Sequence, residues 1–149
     1  MTRRRAYRGA TPRRTVEVKM IYIKAILIWL LMVPLSILNG GFRIYIAEPL
    51  WGNHIAQPLS GIVLSVLVFA MAYILMPKIG KCKTGGYILI GLMWSVLANL
   101  FDLLMTIAET GQVSDFLIMY DIATGNLWSV VVIVCFLSPL LTAKIKNLI

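Results

Sequence analysis

Four long apolar stretches divide the chain, at residues 21–38, 59–76, 87–108 and 127–143. Each approaches the ~20 residues that carry a helix across ~30 Å of hydrocarbon. Each is apolar around most of its circumference, whereas a helix on the surface of a soluble domain is apolar along one stripe. The pattern predicts an all-α fold: an integral membrane bundle of four transmembrane helices. Residues 1–19 are polar, Arg-rich and without a period. They are expected to form a disordered basic tail ahead of a transmembrane domain at 20–149, and Met20 stands just before the first span as an alternative start.

Breaker residues punctuate these stretches. Pro34 lies inside span one and is expected to kink it; Asn39, Gly40 and Gly41 are expected to end it. The span is longer than the apolar core of a signal peptide, and no A-x-A-like cleavage site follows it. Residues 42–58 are semi-apolar, carry Tyr45 and Trp51, and read as an interfacial segment. Pro58 suits the first turn of span two and Pro77 marks its end. Gly80, Gly85 and Gly86 make the next link a tight one, so spans two and three are expected to be antiparallel neighbours. Between spans three and four, residues 114–120 fit a short helix with Ser114 as its cap. The chain shows no internal repeat, which argues against an inverted-repeat transporter within one chain.

Charge gives these spans a direction. Of fourteen Lys and Arg residues, all but Arg43 fall before or at the start of span one, in the link between spans two and three, or after span four. Of six acidic residues, all but Glu17 fall at or toward the other side. The positive-inside rule then places both termini in the cytoplasm. The net charge of +8 is a topology signal, and the Arg-rich start could also touch anionic lipid headgroups. It has neither the aromatic interleaving nor the folded module of a nucleic-acid binder, so no nucleic-acid partner is expected. Hydrophobic residues make up 60% of the chain and charged ones 13%, against about 25% charged in an ordinary soluble domain. Cys82 and Cys135 form neither a disulfide framework nor a metal motif.

Candidate chemistry concentrates on span three. Ser95, Asn99, Asp102, Thr106 and Glu109 recur at steps of four, three, four and three, which puts them on one helical face. Leu97, Leu100, Leu104 and Ile107 occupy the opposite side. Asp102 needs a partner, water or a proton, because a charge inside a bilayer is costly. Arg43 is the one basic residue expected at the outer side and its natural partner, since a guanidinium can grip a carboxylate with two hydrogen bonds. The expected polar cluster is Asn39, Arg43, His54, Asn99, Asp102, Tyr120 and Asn126. Two readings fit it: glue between helices, or a ligand pocket open to the outside. His54, the single histidine, gives no metal site by itself. The four tryptophans are expected to pack or to anchor at the interface. There is no nucleophile elbow, zinc-protease motif or P-loop, so neither an enzyme nor a cofactor is expected.

The same polar positions carry a resemblance. Asn39-Gly40 with Arg43, Pro49, Gly52 and His54, Ser60, Phe101-Asp102, and Tyr120 with Gly125, Leu127 and Trp128 resemble a group of small four-pass bacterial inner-membrane proteins with no assigned activity. The likeness covers residues 20–143. It implies a four-pass bundle in the bacterial inner membrane. This chain departs from the group's pattern at Asp102, where Glu is preferred, and at Asp121, where Asn is. The shorter acid at 102 has less reach toward Arg43. The functional expectation is a non-enzymatic membrane protein whose outer cluster recognises a lipid headgroup or small solute, or stabilises a complex with a membrane-protein partner or further copies of itself. The alternative is a small oligomeric transporter, with Asp102 or His54 as candidate groups for proton coupling.

Overall fold

The structure is a computed structural model that describes residues 12–149. The described chain is helical, with no strand. The helices are α1 (Pro12–Phe42), α2 (Glu48–Trp51), α3 (Asn53–Leu75), α4 (Thr84–Thr110), α5 (Val113–Ile118) and α6 (Trp128–Ile145), with a π turn at Arg43–Ala47 between α1 and α2. Four helical stretches are long and apolar enough to cross a membrane: Arg13–Trp51, Asn53–Lys78, Thr84–Thr110 and Trp128–Ile145.

Boundaries differ from the sequence expectation most at α1. Residues 12–19, expected as disordered tail, are helical. Residues 1–11 of that expected tail lie outside the described residues. Asn39-Gly40-Gly41 do not end the helix, which contains Pro34 and runs on through the π turn into α2. Hydrocarbon supplies no water to an exposed peptide group, so the intrahelical ladder is kept where an aqueous segment would break. The stretch Arg13–Trp51 has 39 residues, about 58 Å at 1.5 Å per residue, well beyond the ~30 Å of a hydrocarbon core. The real break is Gly52, whose φ of 75° is a conformation that favours glycine. α3 then begins at Asn53, so Pro58 lies inside the helix rather than in its first turn. α5 starts at Val113 with Gln112 as its cap residue; Ser114 Oγ donates to Gln112 Oε1 rather than capping.

α6 is the common partner of the bundle. It packs extensively on α4 and on α3, while α1 packs mainly on α3 and meets α4 at few points. The α4–α6 seam repeats every four residues in antiparallel order. A Cβ at Gly91 would run into the Phe136 carbonyl. One turn on, Ser95 Oγ donates to the Val132 carbonyl at 3.1 Å. A further turn on, Trp128 Nε1 donates to Asn99 Oδ1 at 3.2 Å. α3 approaches the start of α6 through Gly61, where a Cβ would lie 2.8 Å from Leu127 Cβ. α1 and α4 are bridged by Trp94, fully buried, whose Nε1 donates to the Ala25 carbonyl at 2.9 Å.

The outward faces are apolar. Leu30, Leu31, Val66, Ile74, Leu100, Leu104 and Ile133 are all exposed, a surface far more apolar than water-soluble monomers carry. The two ends differ in charge. Lys78, Lys81 and Lys83 join Arg13 and Arg14 at one end, where Tyr22, Lys81 and Cys82 line one cavity and Lys146 Nζ sits 3.9 Å over the Tyr73 ring. The opposite, acidic end holds Glu48, Glu109, Asp115 and Asp121.

The seam makes a contrast testable. Gly91→Ala is expected to lose about 1–3 kcal/mol through overpacking, read as a lower midpoint in an SDS-unfolding titration followed by circular dichroism. Gly40→Ala, with open space around the new Cβ, is expected to be neutral or stabilising by up to about 1 kcal/mol. Equal midpoints for the two variants would sink the described seating of α4 on α6.

Candidate functional site: a cavity at the acidic end

The few contacts between α1 and α4 leave room between them toward the acidic end. There a cavity of about 320 Å³ opens, bounded by α1, the π turn, α3, α4 and α6. α1 contributes Ser36 and Asn39, the π turn Arg43, and α3 Gln57 and Ser60. α4 contributes Phe101, Asp102, Thr106 and Glu109, and Asn126 and Trp128 close the side at α6. A second, smaller cavity of about 40 Å³ continues toward the bundle centre, lined by Trp29, Met32, Val68, Phe101, Trp128 and Cys135 among others. Asp102 lines both and is the one charged residue in the inner one.

Asn39 is held where α1 crosses α3. Its Nδ2 donates to the Ser60 carbonyl at 3.0 Å and to Ser60 Oγ at 2.8 Å. The side chain is only 7% exposed, and its Oδ1 is buried with no hydrogen-bond partner. A buried amide oxygen left unpaired costs about 1–3 kcal/mol, so this atom marks an unsatisfied acceptor beside a polar cavity.

Arg43 lines the cavity, but its ionic partner differs from the expected one. Arg43 Nε lies 3.5 Å from Glu48 Oε1, and among the described residues it makes no ion pair with Asp102. The cause is local. The widened π turn closes with the Glu48 N–H on the Arg43 carbonyl, bringing the two side chains to the same side of one helical segment, whereas Asp102 lies across the cavity. Both side chains of the pair are about one-third exposed, so the pair contributes little stability once solvent screening is counted.

The stripe on α4 divides its labour. Ser95 and Asn99 face α6 through the bonds already described, and Asn99 Nδ2 returns to the Ser95 carbonyl at 2.8 Å. Asn99 Oδ1 accepts from Tyr120 as well as from Trp128. Thr106 Oγ1 reaches Met119 Sδ at 3.9 Å. Asp102 and Glu109 line the cavity and, among the described residues, neither has a hydrogen bond or an ion pair.

Of the seven residues expected to form the polar cluster, the cavity therefore brings together Asn39, Arg43, Asp102 and Asn126. Asn126 also has a structural part, its Oδ1 accepting from the Trp128 N–H at 3.0 Å at the start of α6. Asn99 and Tyr120 form a separate hydrogen-bonded group with Trp128. His54 is exposed in the first turn of α3 and does not line the cavity. Ser36, Gln57, Thr106 and Glu109 line it without having been in the expected cluster. Thr106 and Glu109 were visible in the α4 stripe; Ser36 and Gln57 had no sequence signal beyond their polarity. Among the described residues no group of three or more His, Cys, Asp or Glu is placed to hold a metal ion. Comparison of the chain with protein-family models, with curated proteins and with solved structures finds no match.

The Asn99–Trp128 bond can be measured. A double-mutant cycle of Asn99→Leu and Trp128→Phe is expected to give a coupling of about 0.6 kcal/mol and at most about 1.7 kcal/mol, the range for polar contacts between transmembrane helices. The SDS-unfolding midpoint reads it, and strictly additive losses would remove the bond from the account.

Proposed function

We propose that this chain is a non-enzymatic, multi-pass protein of the bacterial inner membrane. Its cavity at the acidic end opens to the outer side and receives a small solute or lipid headgroup, or is filled on assembly of a membrane complex. The observation that carries this reading is Asp102, a carboxylate on a membrane-spanning helix that lines a 320 Å³ cavity without an ionic partner among the described residues. Ionisable groups within spans are costly and mark working sites by default. A role as internal glue accounts well for Asn99 and Asn39 Nδ2, which hold neighbouring helices, but not for Asp102 or Asn39 Oδ1, which hold nothing. The resemblance to small four-pass inner-membrane proteins agrees with this location.

A second reading is an oligomeric transporter. It is favoured by one observation: Asp102 lines both the wide outer cavity and the inner pocket, so a ligand bound there would stand part-way along a path through the bundle. Four helices are few for a pathway within one chain, so this reading requires more than one copy.

Orientation follows from the asymmetric basic residues and puts Cys82, in the basic link, on the cytoplasmic side. A membrane-impermeant maleimide is expected to label Cys82 in inside-out vesicles and not in right-side-out ones. Burial pushes the Cys82 thiol above its usual value, with a hydrogen bond to Tyr87 opposing the shift. The thiolate fraction at neutral pH is therefore smaller than for a free cysteine, and labelling should quicken about tenfold per pH unit as pH rises toward that value. Labelling from the opposite face would reverse the topology. The function itself is tested by native mass spectrometry after gentle extraction from cells expressing the chain at its normal level. A bound lipid, solute or partner is expected on the parent chain and lost from Asp102→Asn. Retention of the same species by Asp102→Asn and by Arg43→Ala, both still folded, would overturn the reading.

A further inference from the structure

The groups around the acidic-end cavity are unequal in what they offer a ligand. Asp102 and Glu109 present carboxylates, which only accept when ionised, and neither has a partner among the described residues. Asn39 is spent on Ser60 through Nδ2, and its Oδ1, though unpartnered, is shut off from the cavity. The single cation lining the cavity, Arg43, has its counter-ion Glu48 at 3.5 Å, a charge contact that leaves Nε without a hydrogen bond. Gln57 and Asn126 add neutral amides. Two carboxylates without a partner among the described residues outnumber the one guanidinium, which Glu48 accompanies, so the cavity carries net negative charge. A phosphate or carboxylate ligand would meet like charge here.

Asp102 also stands at the mouth of the inner pocket, where Trp29, Phe101 and Trp128 line the wall. Aromatic faces attract cations, and most strongly where water is excluded. The inner pocket, at about 40 Å³, has room for only a short apolar segment.

We infer that the ligand of this cavity is a protonated primary amine: its ammonium donates to Asp102, and the adjoining carbons of a free amine enter the aromatic pocket. This rests on the reading of the cavity as a ligand site and names the chemistry that site selects. The ammonium can come from a free amine or from an ethanolamine lipid headgroup, which share the same donor; the headgroup's two carbons must run outward instead, because they carry the phosphate, which stays outside the cavity.

The test uses the full chain in phosphatidylcholine nanodiscs, with n-butylammonium as probe, followed by calorimetry and native mass spectrometry. Saturable binding of n-butylammonium is expected. Butyltrimethylammonium, which has the charge without the N–H donors, should bind at least tenfold more weakly, and n-butanol should not bind. Asp102→Asn, nearly isosteric, should weaken n-butylammonium tenfold or more, and Glu109→Gln less. In a second arm, nanodiscs containing both phosphatidylethanolamine and phosphatidylcholine assign the source: selective retention of the ethanolamine lipid, lost in Asp102→Asn and displaced by n-butylammonium, identifies the headgroup. Without such retention, n-butylammonium binding identifies a free amine. The inference is overturned if n-butanol or butyltrimethylammonium binds as well as n-butylammonium, if folded Asp102→Asn binds it unchanged, or if the parent chain holds neither amine. Should Asp102→Asn fail to fold, the comparison of the three probes on the parent chain still decides. A neutral or anionic solute retained by the parent chain and released by folded Asp102→Asn would end the amine assignment while leaving the cavity as the working site.

Discussion

Close approach of α4 to α6 is the constraint on which the rest of the bundle depends. Gly91 permits it, because any side chain there would occupy the space of the Phe136 carbonyl. Ser95 and Asn99, each one turn further along, then meet Val132 and Trp128. In hydrocarbon no hydrophobic force draws helices together, so association rests on contacts of this kind: small residues that let backbones approach, and polar side chains that bond across the gap. The four-residue repeat fixes the rotation of α4 about its own axis. Asp102 and Glu109 share the face of α4 that carries Gly91, Ser95 and Asn99, so seating that face on α6 keeps them inside the bundle, and beyond Trp128 at the start of α6 they line the cavity rather than meet lipid.

The cavity is the counterpart of that seam. Near the basic end, the fully buried Trp94 fills the space between α4 and α1 and bonds the Ala25 carbonyl. Farther along, Trp29 and Phe101 meet edge to face with ring centroids 6.4 Å apart. Beyond them the α1 positions facing inward are Ser36 and Asn39, too small to close the gap. Asn39 is drawn sideways to Ser60 on α3. The space between the helices therefore widens from an aromatic wall to a polar chamber, with Asp102 at the boundary.

The long first helix sets the chamber's far rim. Continuation through Gly40 and Gly41 into the π turn carries Arg43 over the cavity and delivers its counter-ion, Glu48, on the same segment. Arg43 and Glu48 offset each other locally, which leaves the carboxylates of α4 without a cation among the described residues. π turns arise where one extra residue is accommodated in a helix, and they recur at functional sites. Here the turn is what separates Arg43 from the partner that charge alone would assign it.

Much of this architecture was legible from residue order. Four apolar stretches, the all-helical fold and the polar face of α4 follow from hydropathy and a 3.6-residue period, both properties of single segments. Gly61 allows tight packing, but nothing in the sequence says that its neighbour is Leu127. Helix ends at Asn39-Gly40-Gly41 and Pro58 were misplaced because breaker rules describe helices in water, where a freed peptide group can bond solvent. The Arg43–Asp102 pair failed for another reason. Opposite charges on different helices pair only if helix rotation and separation bring them within about 4 Å, and those quantities are decided by the α4–α6 seam and by Trp94. The sequence by itself thus determined which segments are helical, which of their faces are polar and where charge accumulates, because these depend on local spacing. Only the tertiary structure decided that Asn99 and Tyr120 serve packing, that His54 stands outside, and that Asn39, Arg43 and Asp102 share one cavity, because these depend on how four rigid helices are rotated and spaced against one another.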